Sequence, residues 1–173
     1  MSIRIVIDGY NLIRNYSPLA RMEQRDFSRG REMLLQWLAA YRQGHPGAMT
    51  VVFDGGQGGG FQEEQDLYKG IQISYSPRGL TADDIIKRLI ASRAENMLVV
   101  SSDRELVEFC RARGAGTIGA REFADRIQKR LEEVPGAKEE EKTLPSSGPR
   151  KKKGLSYRPS KKKKKEMKYW GKI

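Results

Sequence analysis

An α/β fold is predicted here: three layers, with a central, mainly parallel sheet flanked by helices. Three observations predict it. Short, mainly apolar runs at 3–7, 49–53 and 97–100, interrupted only by Arg4 and Thr50, have the character of strands covered on both faces. Segments with apolar residues at helical spacing lie between them. Glycine and proline mark the joins, so strands alternate with helices as in βαβ units, whose crossovers are right-handed.

The elements follow in order. Residues 3–7 are a buried strand. Met33, Leu34, Trp37, Leu38 and Tyr41 define one face of a helix over 28–43, stopped by Gly44 and Pro46. Residues 49–53 are a second buried strand, followed by a glycine-rich loop over 55–60. The alternation in Ile71-Gln72-Ile73-Ser74-Tyr75 predicts a third strand, and Pro77 and Gly79 a turn. A helix over 82–93 carries Ile85, Ile86, Leu89 and Ile90 on one face, with Thr81 as N-cap and Asp84 placed for a capping box. Residues 97–100 are a fourth strand. The next helix is expected to start at Ser102, with Glu105 three residues on, and to end at Gly114. A short strand near Thr117-Ile118 and a helix over 121–132 complete a domain of residues 1–135, closed by Pro135-Gly136.

Charge divides the 173-residue chain at the same place. Residues 136–173 hold 14 Lys and Arg against 4 Asp and Glu, whereas residues 1–135 hold 19 against 18. Nearly all of the +11 net charge therefore lies in a C-terminal tail. With few apolar residues, that tail cannot offset its ordering entropy and is expected to be disordered. A basic tail points to a polyanionic partner. The single cysteine, Cys110, is read as a buried structural thiol and the single histidine, His45, as a loop residue. Together they argue against zinc or a Cys/His nucleophile. No apolar run approaches the ~18 residues of a membrane span. The chain enters a strand at once with no leader segment, so a cytoplasmic setting is the expectation.

The chemistry lies where the strands end. Ile3-Arg4-Ile5-Val6-Ile7 runs into Asp8-Gly9-Tyr10-Asn11, Val51-Val52-Phe53 into Asp54-Gly55, and Leu98-Val99-Val100 into Ser101-Ser102-Asp103. In a parallel sheet these carboxyl ends share one edge, where ligands bind. Asp83 opens a helix and brings a fourth carboxylate. Each aspartate alone is explained by a preference for turns and helix N-caps. Four near one point would raise one another's pKa values unless a cation joined them, and Mg²⁺ or Mn²⁺ suits such hard oxygen donors. No nucleophile with an adjacent base is evident, which leaves hydrolysis by metal-activated water. The glycine loop fits neither the dinucleotide fingerprint nor a P-loop, so no nucleotide cofactor is expected.

Asp8-Gly9-Tyr10-Asn11, Val52-Phe53-Asp54, Thr81-Ala82-Asp83 and Ser101-Ser102-Asp103, in this order, resemble the NYN domain, specifically its YacP-like branch, a relative of PIN-domain nucleases. The resemblance covers about residues 3–132. It implies a compact PIN-like α/β fold and a metal-dependent endoribonuclease. By position it implies Asp8, Asp83 and Asp103 as metal ligands, Asp54 lining the same pocket, and Asn11 orienting a carboxylate or substrate phosphate. Asp84 ranks below Asp83.

Arg14 and Arg78 are candidates for holding a phosphate near the strand-end edge. In the tail, Lys151, Lys152 and Lys153 form one basic cluster and Lys161, Lys162, Lys163, Lys164 and Lys165 another, with Tyr157, Tyr169 and Trp170 interspersed. Basic side chains steer to phosphates and the aromatics suit unpaired bases. The expected partner is RNA, either mRNA or rRNA on the ribosome. Membrane binding has no amphipathic helix to support it. Two alternatives stay open: a non-catalytic RNA-binding module with a structural or vestigial metal site, and a phosphatase or flap nuclease on a similar scaffold.

Overall fold

In the computed structural model, which describes residues 3–44, 47–55 and 60–133, the chain runs β1 (Arg4–Asp8), α1 (Gly9–Asn15), α2 (Ser17–Arg25), α3 (Phe27–Gln43), β2 (Met49–Phe53), β3 (Glu64–Tyr68), β4 (Ile71–Tyr75), α4 (Ala82–Ser92), β5 (Met97–Val100), α5 (Arg104–Ala112), β6 (Gly116–Ile118) and α6 (Ala120–Glu133). The strands form one sheet in the order β3-β4-β2-β1-β5-β6. Every pairing is parallel except β3 with β4. His45, the centre of the glycine loop and the tail, with Lys151–Lys153 and Lys161–Lys165, lie outside the described residues.

Alternation along each strand builds two cores. Ile5 and Ile7 of β1, with Val51, Phe53, Leu98 and Val100, pack against α1, α2, α3 and α6. Val6, Val52, Met97 and Val99 face α4 and α5, where Ile85, Ile86, Ile90, Leu106 and Cys110 cover them. Side chains buried on both faces are why these strands read as mainly apolar runs without alternation. Cys110 is fully buried, and burial pushes its thiol up to about 11, as befits a structural cysteine.

β1 lies between β2 and β5. The chain first builds outward on one side of β1, then crosses to the other side through α4. This change of direction puts the carboxyl ends of β1, β2 and β5 around a crevice, the usual ligand position in an open α/β sheet.

Three elements lie outside the sequence prediction. α1 starts directly at the end of β1, with Asp8 both the last strand residue and the N-cap. α2 carries Pro18 in its first turn and has one buried residue, Leu19, so it lacks a broad apolar face. β3 is an exposed, polar edge strand joined to β4 by a tight turn at Lys69 (φ 46°) and Gly70 (φ 81°). The strand at 71–75 is thus fourth in chain order. One boundary also moves. α5 is capped by Asp103, whose carboxylate accepts from the Leu106 N–H, and begins at Arg104 rather than at Ser102. The capping box at Thr81 and Asp84 is present as expected.

Candidate active site

Asp8, Asn11, Asp54, Asp83 and Asp103 all line one open cavity of about 310 Å³ at the strand ends, together with Tyr10, Arg14, Asn15 and Thr81. A larger cavity, about 460 Å³, lies by β3 and α4 and holds none of the four aspartates. Arg78 follows β4 on an exposed turn and is not part of the acidic lining.

Backbone amides position three of the acids. Asp8, 7 % exposed, accepts from the Asn11 N–H at 3.2 Å through Oδ1 and from the Ser101 hydroxyl at 3.2 Å through Oδ2. Asp54 Oδ1 accepts from the Ala82 N–H at 2.6 Å, which ties the end of β2 to the start of α4. Asp103 Oδ1 accepts from Leu106 N–H at 2.9 Å. Asp83 differs: among the described residues nothing hydrogen-bonds its carboxylate.

The electrostatics follow from this packing. Burial pushes Asp8 up to about 6, with Asp83 and Asp54 adding like charge against the bonds from Asn11 and Ser101. Asp83 is raised by burial and by Asp103, against the pull of Lys87, which also pairs with Glu105 at 2.6 Å.

The donors suit a hard cation, since the lining offers carboxylate oxygens and neither His nor Cys. Yet among the described residues no three acidic, His or Cys side chains come close enough to ligate one ion together. Capping turns Asp8, Asp54 and Asp103 toward separate helix starts. The set therefore fits an ion that keeps several waters and takes one or two carboxylates, as Mg²⁺ does, rather than a closed cage.

Asn11 is a brace. Its Oδ1 accepts from the Ser102 N–H at 2.8 Å, and Asn15 Nδ2 donates to the Asn11 carbonyl at 2.8 Å. It is the Asn11 backbone that holds Asp8. The sequence reading has Ser101 and Ser102 in a motif but not their bracing roles, and it misses Asn15, for which the i, i+4 spacing to Asn11 is the available signal. Gly9 completes the motif, because a Cβ there would collide with the fully buried Phe53 ring. Gly9→Ala is expected to destabilise the domain by about 1–3 kcal/mol, read in denaturant melts.

The sequence model of the YacP-like NYN domain matches residues 5–172. The chain belongs to the YacP-like NYN domain family. The match extends through the lysine-rich segment. A Bacillus subtilis (strain 168) relative named "Uncharacterized protein YacP" is 26% identical over 134 residues, covering 74% of this chain and 78% of that protein. The crystal structure of Rae1 (YacP) from Bacillus subtilis is similar at 27% identity with a TM-score of 0.59, covering 76% of this chain and 78% of that one. The structure of a point mutant of Rae1, at 24% identity and the same TM-score of 0.59, covers 75% of this chain and 79% of that one and supports the fold. The family has a PIN-like nuclease fold, and its mostly parallel sheet with flanking helices is the arrangement described above. No helix among the described residues is long and apolar enough to cross a membrane.

Proposed function

We propose that this protein is a metal-dependent endoribonuclease that hydrolyses RNA phosphodiester bonds, with residues 136–173 as a basic segment binding RNA or the ribosome. The observation that carries the reading is the convergence of Asp8, Asp54, Asp83 and Asp103 on one crevice of a nuclease-type fold, with Asp8 and Asp83 both pushed up in pKa. Such a site gains by binding a cation. One or two of Asp8, Asp83 and Asp103 would hold Mg²⁺ or Mn²⁺ directly and the others through its bound waters, with Asp54 completing the acidic wall. When bound, the cation supplies activation of water and charge relief at the scissile phosphate. Asn11 keeps α1 and the 101–103 segment in register, and so keeps Asp8 and Asp103 apart at a set distance. Arg14, 63% exposed at the pocket, is placed to meet a phosphate. The family and the basic segment support RNA as the substrate.

One observation favours the second reading, a non-catalytic RNA-binding module: Asp8, Asp54 and Asp103 each satisfy a helix-start amide. A single experiment separates the two. Fluorescent single-stranded RNA is incubated with Mg²⁺ or Mn²⁺, free and on translating ribosomes, with wild type and Asp8→Asn. Cleavage lost in the variant with binding kept is expected. No wild-type cleavage in either setting, or cleavage that survives in Asp8→Asn, removes the nuclease.

Truncation after Gly136 is expected to weaken RNA binding and flatten its salt dependence, by roughly 0.7 in slope for each phosphate that the segment neutralises. Titration at two salt concentrations checks this.

A further inference from the structure

One half-exposed aromatic stands beside the acidic pocket. Phe27, the first residue of α3, is 51% exposed. Its ring lies 4.9 Å from that of Tyr10, centroid to centroid and tilted by 33°. Tyr10 lines the pocket and meets Phe53 edge-on at 5.2 Å, so it belongs to the core below. Two guanidiniums accompany the rings. Arg14, also in the pocket lining, is 5.4 Å from the Tyr10 centroid. Arg31 is 5.6 Å from the Phe27 centroid and 5.9 Å from that of Tyr75. Phe61 is more exposed, at 92%, but among the described residues it has neither ring nor cation beside it.

An exposed ring packed on Tyr10, with one guanidinium at each ring of the pair and Tyr10 continuous with the acidic pocket, has the chemistry of a nucleotide site. Bases stack on aromatic faces without regard to sequence, and guanidiniums hold the backbone. We propose that Phe27 is the stacking platform for one unpaired RNA base next to the scissile phosphate, with Arg14 and Arg31 holding the flanking backbone. The proposal rests on the nuclease reading for its orientation, with the scissile phosphate at the acids. Arg14 is only loosely engaged by Glu23, at 3.7 Å, which leaves it available. A base inside a duplex has no free face to offer, so the platform favours single strands.

The test uses the full chain carrying Asp8→Asn, so that the RNA stays intact. A short oligouridine with one 2-aminopurine, moved along the strand position by position, reports stacking by quenching. Quenching confined to one region of the strand is expected. Phe27→Leu, which keeps apolar contact with Tyr10, should remove that quenching and weaken binding by roughly five- to a hundredfold. Phe27→Trp should restore both. Equal quenching and affinity in Phe27→Leu and its parent, with melting curves that show both folded, would overturn the platform. In the wild-type background, cleavage that persists unchanged in Phe27→Leu would also overturn it while leaving the nuclease reading intact. Stacking at Phe27 without cleavage by wild type would support the platform and sink the nuclease reading instead.

Discussion

Asp83→Asn is expected to lower RNA cleavage by about 10²–10³-fold and to leave the domain as stable as wild type or slightly more so. The rate loss is the size seen when one group that stabilises transition-state charge is removed. The stability result follows because nothing among the described residues hydrogen-bonds the Asp83 carboxylate, which sits in the field of Asp103 and Asp54. Its neighbour should show the opposite pattern. Asp84 accepts from both the N–H and the hydroxyl of Thr81, at 2.9 and 2.8 Å, and these bonds hold its carboxyl below the usual range. Asp84→Ala should cost about 0.5–1 kcal/mol of stability and little activity. Cleavage rates and thermal melts on the pair provide the check. Equal loss of cleavage in both variants would mean that the charge of the region matters and not the site.

Asp8→Asn is expected to stabilise the metal-free protein at neutral pH by about 1–3 kcal/mol while abolishing cleavage. In the folded protein Asp8 titrates near 6, against 3.8 for a free aspartate. Between those values the folded state holds the extra proton. The stability associated with Asp8 is therefore full below about pH 4 and lost as pH rises through 6. With chelator present, wild type should melt lower at pH 8 than at pH 5 relative to Asp8→Asn, by several degrees for a domain of this size. Millimolar Mg²⁺ or Mn²⁺ should recover the loss in wild type and not in the variant, since only the native acidic pocket gains by binding the ion. If Asp8→Asn melts below wild type at pH 8 in chelator, the account of Asp8 as a carboxylate held up mainly by burial, with like charge adding to it, fails.

The legible parts of this fold and the hidden ones differ for physical reasons. β1, β2 and β5 are plain in the sequence because strands buried on both faces are mainly apolar on both, and α4 because its capping box and apolar face agree. β3 is invisible there because a solvated edge strand carries Glu64, Gln65 and Asp66 and shows no alternation. α1 is hidden by brevity, and by Gly9, which discourages a helix reading although Phe53 demands it. At the site, the four acids are legible because strand ends converge in a parallel sheet. Their separation into helix caps is not, since whether a carboxylate faces an amide or a pocket depends on the turn of the chain around it. The capping role of Asp103 illustrates this: a shift of two residues in the helix start, from Ser102 to Arg104, decides its orientation. Ser101 gives no local signal, because its bond to Asp8 joins residues far apart in the chain.

The order of strands in the sheet carries a consequence for the protein's own synthesis. Asp8, Asp54 and Asp83 leave the ribosome well before Asp103, and the crevice has its fourth wall only after β5 has laid itself against the far side of β1. An unfinished chain thus carries an incomplete blade. On the nuclease reading, a chain halted before residue 103 is expected to have no cleaving activity.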